Sequence, residues 1–328
     1  MVGFMDGFSA ARRFNDFEAM ATAVPAWELE FARLDGGAFA AEIGVAMTAE
    51  LQIAHFVTNS AFLATGHTPR GASGVCFVIS APQGVRSRGR AIDPTTTAAA
   101  RLQGGEVHFV AGGPVDQVAV AADHALFERH VRSRFDRDAA ALGADWLLRT
   151  PPGTADCAER GRAVLALLSV LSSRAAASRE ARHRLQECVL QIVLDGLETD
   201  AAAAAWVAPL HVRRRVARAA EEVLRARMDD PPSVRELCEL LSVPERSLHH
   251  AFQEAFGMAP KAYLRALRLS AAHRRLRRGS GPVTAVAADL GLFHFGRFAQ
   301  EYRAMFGEPP SETLRRALGF ARPRVDAR

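Results

Sequence analysis

The sequence predicts an α+β protein, with a β-rich N-terminal domain and an all-α C-terminal domain carrying two helix-turn-helix motifs. Three observations carry that expectation. Residues 26–122 alternate or run apolar in short segments cut by Gly, Pro and Asp. After Asp123 the apolar period lengthens to that of a helix. The last third then writes one pattern twice, "SVRELCELLSVPERSLHHAFQEAFGMAP" from Ser233 and "VTAVAADLGLFHFGRFAQEYRAMFGEPP" from Val283. A length of 328 residues suits about two domains.

The predicted strands lie in "WELEFARL" (27–34), "GAFAAEIGVAMT" (37–48), "LQIAHFVTNSAFLAT" (51–65), "GVCFVISA" (74–81) and "EVHFVAGG" (106–113). Short strands at this spacing build a small antiparallel barrel or sandwich. "HALFERHVRSRFDRDAAAL" (124–142) reads as helix, and "RTPPGTAD" (149–156) as a linker with a capping Thr or Asp. Two more helices are expected at about 157–174 and 178–198. "AAAAAW" (201–206) reads as a connection, and 212–228 as an amphipathic helix.

Within the repeat, Phe256, Gly257 and Pro260 match Phe306, Gly307 and Pro310 at an offset of 50. Leu248 and Phe298, then Phe252 and Tyr302, keep that offset, whereas Val234 and Leu237 match Val283 and Val286 at 49. One residue is therefore inserted between the two helices of the second copy. Each copy opens with a short amphipathic helix, for which Ser233 is the expected N-cap with Glu236 three residues on. Ser242 is expected to cap the second helix, with Pro244 in its first turn and Gly257 as its stop. Two short helices about a tight turn are a helix-turn-helix, whose second helix enters the major groove of DNA. A merely packing αα-hairpin is the alternative for a single copy; duplication and charge argue against it.

The net charge of +5 is unevenly spread. Residues 1–210 hold 19 Arg against 23 acids, and residues 211–328 hold 21 Arg and Lys261 against 13 acids. The stretch 261–278 between the repeats has seven cations and no acid. A basic module of this kind seeks a polyanion. Cys76, Cys157, Cys188 and Cys238 are far apart without CxxC, which argues against a zinc site or disulfide framework and fits a reducing cytosol. No apolar run is long enough for a membrane span, so a cytoplasmic protein without membrane contact is expected.

Residues 212–318 resemble the DNA-binding domain of the AraC/XylS family of bacterial transcription regulators. "VAADLGLFHFGRFAQEYRAMFGEPPSETLR" carries the family's apolar-plus-Gly turn, its "RF" on the recognition helix and its "FG-x-x-P" exit. "ATGHTPRGASGVCFVISAPQG" (64–84) is similar to the cupin-like β-barrel sensor domains of family members. The resemblance implies a sensor domain at 1–150, a helical linker and dimerisation region at 151–205, and a DNA-binding domain at 206–320. It implies a homodimeric regulator, an activator more commonly than a repressor. The implied partners are double-stranded promoter DNA, RNA polymerase and a small-molecule effector.

With Leu248, Phe252 and Phe256 facing the core, Arg246, Ser247, His249, His250 and Gln253 are the DNA-facing candidates on the first recognition helix. By the family's pattern Arg246, His249 and His250 are its base readers. The family commonly has Arg at the position of His250, which lacks the guanidinium's bidentate grip on guanine. On the second helix the candidates are His294, Gly296, Arg297 and Gln300, of which Arg297 suits guanine or phosphate and Gln300 suits adenine. Arg268 is similar to a family Arg that holds structure. The helix starts at Ser233, Ser247 and Thr284 offer backbone N–H groups to phosphates.

Weaker signals point elsewhere. His55, His67 and His108 lie among the strands without the HxH…E…H order of a cupin metal, so no metal or other cofactor is expected. Arg86, Arg88 and Arg90 alternate in a loop able to grip an anionic effector, the alternative being a solvated loop. Arg86 and Arg90 also have the RxxxR spacing that binds cyclic di-GMP, although the [DN]xSxxG half of that signature is absent. A DNA-repair alkyl-transfer enzyme would need an activated cysteine, and none has such a context. A non-specific nucleic-acid coat would need stacking aromatics on a basic face, whereas those here are spaced for core packing. No enzymatic activity is expected.

Overall fold

A computed structural model describes residues 4–21, 23, 27–101, 103–136, 138, 145–149, 156–195 and 208–320. Most of the linker expected at 149–156, and all of the connection at 201–206, lie outside the described residues. The chain divides into two compact units, one of residues 1–31 and 39–208 and the other of residues 32–38 and 209–328.

The first unit holds two antiparallel sheets. Seven strands run in the order β1 (Ser9–Phe14), β3 (Ala41–Met47), β4 (Leu51–Thr58), β11 (Val115–Asp123), β6 (Ala72–Ser80), β9 (Thr97–Arg101) and β12 (Asp145–Arg149). Five run in the order β2 (Glu28–Arg33), β5 (Phe62–His67), β10 (Glu106–Ala111), β7 (Val85–Ser87) and β8 (Arg90–Ile92). A short α1 (Phe17–Ala21) follows β1. The larger sheet is covered on both faces, which is why its strands read as apolar runs rather than clean alternation. Ile53, Val75, Phe77, Val118 and Val120 face a core shared with helices, while Ala54, Phe56, Val78 and Ala121 face the core shared with the smaller sheet.

The helical face is built by α2 (His124–Phe135), α3 (Cys157–Leu171) and α4 (Arg179–Leu194). Asp123 caps α2 through the Ala125 N–H. Asp156, one of the two expected caps, forms a capping box with Glu159 at 2.6 and 3.1 Å. Gly161 lets α3 approach the sheet, since a Cβ there would stand 3.0 Å from that of Phe77. Val164, Val189, Leu190 and Val193 are fully buried in the same core.

The "RSRGR" stretch is a β-hairpin rather than the expected loop. β7 and β8 pair, and Arg88 and Gly89 between them both have positive φ, 49° and 74°. Two such residues make the primed turn that matches strand twist.

Among the described residues the second unit is helical apart from 32–38 and the turns between its helices. It comprises α5 (Ala208–Ala226), α6 (Val234–Leu241), α7 (Glu245–Phe256), α8 (Pro260–Arg277), α9 (Val283–Ala288), α10 (Phe295–Phe306) and α11 (Pro310–Phe320). The starts of α7 and α10, and of α8 and α11, keep the offset of 50 seen in the sequence.

Candidate nucleic-acid interface

Each copy of the repeat packs its recognition helix by the same residues. Leu248, Phe252 and Phe256 of α7 are at most 3% exposed, as are Phe298 and Tyr302 of α10. Gly257 and Gly307 close the two helices in left-handed conformation, donating to the Gln253 and Arg303 carbonyls. The Phe256 ring meets Tyr263 at 4.3 Å, and the Phe306 ring stacks on His273 at 4.3 Å, so α8 anchors both copies. Tyr263 donates to Glu221 of α5, which also pairs with Arg225 at 3.0 Å. Burial first, and the Glu221 charge second, push the Tyr263 phenol well above its ordinary range. In the second copy Tyr302 donates to Thr313 at 2.9 Å.

The caps differ from expectation in the turns. Ser233 does form a capping box with Glu236, at 3.2 and 2.7 Å. Ser242, however, closes α6 in a left-handed conformation (φ 53°) and Pro244 occupies the N-cap of α7. Ser242 is therefore a stop signal, and α7 starts with no side chain spent on its free N–H groups. Thr284 follows the first residue of α9, whose N-cap is Pro282. The inserted residue lies in the turn containing Gly291, whose φ is +66°.

The expected DNA-facing residues do lie outward. Arg246, Ser247, His250 and Gln253 are exposed and His249 is half-buried. Arg246, His250 and Gln253 fall at i, i+4 and i+7, one stripe along α7. Arg246 Nε approaches His250 Nε2 at 3.5 Å, His249 lies 3.6 Å from Glu245, and Gln253 Nε2 donates to the Gly257 carbonyl at 3.0 Å. Gln253, although exposed, is thus engaged at the helix end.

On α10, His294, Gly296, Arg297 and Gln300 are all exposed. Arg297 Nε donates to Glu301 at 2.8 Å, and Glu301 also lies 3.6 Å from Arg265 of α8. Holding Nε leaves the two-nitrogen edge of the guanidinium for a bidentate partner. Beside it a cleft of about 720 Å³, open to solvent, is lined by Lys261, Arg265, Arg268, His294, Arg297 and Glu301 among others. Arg268 donates to the Met228 and Asp229 carbonyls at 2.6 and 3.3 Å, so it braces α8 against the segment before α6.

Two residues escaped the reading that aromatics serve only the core. Phe293 is 69% exposed and Phe295 44% exposed, flanking His294 at the start of α10. The signal was present in "LFHF", four bulky residues in a row across the short turn into α10, which cannot all be buried there.

The effector candidates are not brought together. Arg86 pairs with Ala91, and Ser87 pairs with Arg90, so Arg86 and Arg90 project from opposite faces of the hairpin. Arg88, at the turn, lies 3.6 Å from Glu106. His55 lies 2.8 Å from Asp116. Among the described residues no group of three or more His, Cys, Asp or Glu is placed to hold a metal ion. Cys157 is fully buried and burial pushes the Cys238 thiol up, away from nucleophile character.

Comparison with known proteins bears on the repeated unit. A family model described as a helix-turn-helix domain matches residues 237–316. The XylDLEGF operon transcriptional activator 1 of Pseudomonas putida is 44% identical over 87 residues, 26% of each chain. The C-terminal region is an AraC-type helix-turn-helix domain. A probable thc operon regulatory protein of Rhodococcus erythropolis is 34% identical over 134 residues, 40% of each chain. The crystal structure of a probable AraC family transcriptional regulator from Rhodopseudomonas palustris CGA009 is 40% identical, covering 31% of this chain and 97% of that one with a TM-score of 0.30. The matched segment spans about a quarter of the length of the XylDLEGF activators. No described helix is long and apolar enough to cross a membrane.

Proposed function

We propose that the chain is a sequence-specific DNA-binding transcription regulator, an activator, that works as a homodimer on promoter DNA and contacts RNA polymerase. The observation that carries this reading is the pair of recognition helices, α7 and α10, each with a buried aromatic face and an outward polar face inside an AraC-type domain. Two reading heads on one braced linker helix suit adjacent major-groove segments about 10 bp apart. In this reading Arg246, His249 and His250 serve the first segment, and Arg297 and Gln300 the second, with Ser247, Gln253, His294 and Gly296 at their borders. Residues 206–320 are the DNA-binding domain, residues 1–150 the effector-binding domain, and 151–205 the dimerisation region. No catalytic role is assigned, and the site of action is the cytoplasm.

A cyclic di-GMP response through Arg86 and Arg90 lacks comparable support, because the hairpin register turns the two guanidinium groups apart. The test is fluorescence anisotropy with DNA upstream of the protein's own gene and neighbouring operons, in excess random competitor, with and without cyclic di-GMP. Binding that survives competitor is expected. Binding lost equally to random DNA at every site tried overturns sequence specificity.

A further inference from the structure

We propose that the interior of the first unit takes an uncharged, mainly aromatic small molecule bearing one hydrogen-bonding group, which Gln117 reads. This rests on the reading of that unit as the effector-binding domain and supplies its ligand class. Between the two sheets lies a cavity of about 110 Å³, open to solvent at its mouth, so that one aromatic ring can seat inside while the rest of a small ligand reaches the opening. Protein interiors ordinarily close such space, because unfilled walls forfeit dispersion contacts. Here the sequence keeps it open. Ala54, Ala64, Ala99 and Ala119 stand on the lining where larger side chains would fill it.

The wall is aromatic. Phe31, Phe56, Phe62 and Phe109 form a chain of rings with centroids 5.3–6.3 Å apart. Trp27 adds its ring, its indole N–H being engaged by Gln52 at 2.5 Å. None of the lining residues is Asp, Glu, Lys, Arg or His. A carboxylate or phosphate placed there would lose its hydration with no cation to replace it. Neither Arg86 nor Arg90 lines the space, although Ser87 between them does.

The polar atoms are few and central. Cys76 on β6 and Gln117 on β11 face the cavity, and the Cys76 thiol donates to Gln117 Oε1 at 3.5 Å. A glutamine amide has two N–H donors as well as the oxygen, so it can read a hydroxyl or carbonyl on a ligand. Their strand neighbours Phe77, Val78 and Val118 are fully buried, so this accessible patch belongs to the cavity floor. Thr68 and Ser87 also line the space, and a few polar groups within a mostly apolar wall orient a ligand rather than supplying most of its affinity.

The full-length protein would be titrated with the uncharged fluorophore N-phenyl-1-naphthylamine. Competitors at pH 7.5 would be naphthalen-2-ol, 2-methylnaphthalene and naphthalene-2-carboxylate. The fluorophore is expected to bind, and the naphthol to displace it at least about tenfold more effectively than the carboxylate. Ala119→Trp, which fills the space, should abolish binding, with circular dichroism reporting the fold. Gln117→Leu should weaken the naphthol about fivefold and leave 2-methylnaphthalene unchanged. A carboxylate that competes as well as the naphthol overturns the ligand class. So does a Gln117→Leu substitution that leaves naphthol binding unchanged, or that weakens naphthol and 2-methylnaphthalene alike. Absence of fluorophore binding in a protein that still binds its DNA overturns this inference alone, whereas loss of specific DNA binding strikes the regulator reading whatever the cavity holds.

Discussion

Arg33 and Ser270, 237 residues apart in sequence, exchange two hydrogen bonds within the helical unit. The Arg33 N–H donates to Ser270 Oγ at 3.0 Å, and the Ser270 hydroxyl donates back to the Arg33 carbonyl at 3.3 Å. The Arg33 guanidinium in turn holds Asp35 and the Gly37 carbonyl, at 3.2 and 2.9 Å. The Gly37 N–H then donates to the Ala304 carbonyl of α10 at 3.3 Å. A short piece of the N-terminal chain is thereby knotted onto α8 and α10. Ser270→Ala removes both bonds from a buried site and is expected to lower stability by about 1–2 kcal/mol, read by urea unfolding. β2, which ends at Arg33, also gives Leu29 and Phe31 to the cavity wall. The same variant should therefore blunt any effect of a cavity ligand on DNA affinity, measured by anisotropy.

Gly291 fixes where the second recognition helix begins. Its φ of +66° is left-handed, and a Cβ there would lie 2.0 Å from the Asp229 carbonyl and 2.5 Å from Arg268 Nη2. Gly291→Ala must move backbone as well as a side chain, and should cost more than about 1 kcal/mol. Thermal unfolding and DNA anisotropy should fall together. A variant with full stability and full binding would mean that the turn tolerates another geometry.

Phe293 makes the opposite prediction. At 69% exposed it contributes little to folding, so Phe293→Ala should leave the unfolding midpoint in place. In the groove, an apolar side chain beside an A·T pair meets the thymine methyl group. Specific DNA affinity should fall by about 1 kcal/mol, from the apolar surface no longer covered. Replacing thymine by uracil at the affected step should reproduce the loss in the wild type and add nothing in the variant.

The capping box at Ser233 sets a pH dependence. Hydrogen bonds from Ser233, the backbone N–H foremost, hold the Glu236 carboxyl below its usual value of 4.5. The folded state thus favours the ionised form. Its contribution is fully present above the unfolded carboxylate's pKa and is lost as pH falls through the lower, folded one. Glu236→Gln should flatten the acid limb of the unfolding profile below about pH 4.5, because it loses this contribution near neutrality and matches wild type once the carboxyl is protonated. An acid limb identical to wild type would remove the box from that balance.

The helical third was legible because its signals are local. Ser233 with Glu236, Gly257 and Gly307 act within one turn, and the offset of 50 needs no tertiary knowledge. Ser242 misled because a Ser before a Pro suits an N-cap and a left-handed stop alike, and only the φ of 53° decides. In the first unit the segments of β2 to β6 and of β10 were visible, whereas β1, β7 to β9, β11 and β12 were not singled out, and no strand's partner was legible. β4 carries Ile53 toward one core and Phe56 toward another, so apolar content alone fixes neither neighbour nor face. The cavity was invisible for a related reason. It is made by small residues on strands distant in sequence, such as Ala64 and Ala119, and an alanine reads as unremarkable filler until its neighbours are known.

Arg297 carries the sharpest mutational test. Its Nε is held by Glu301, which is only 22% exposed, and that fixes the plane of the guanidinium before any ligand arrives. A preoriented fork matches the two acceptors on the edge of a guanine, whereas a phosphate accepts equally from a simple ammonium group. Arg297→Ala should therefore cost about 1–3 kcal/mol of specific affinity, and Arg297→Lys nearly as much if a base is read. Lysine that restores binding to wild-type level, with an unchanged ratio of specific to random affinity, would assign Arg297 to the backbone. Glu301→Ala separates orientation from charge. Removing an acid from the basic face should strengthen binding to random DNA, while loss of the fixed plane should lower the specific-to-random ratio. Anisotropy at two salt concentrations reads both, because the non-specific part follows counterion release and the base contact does not.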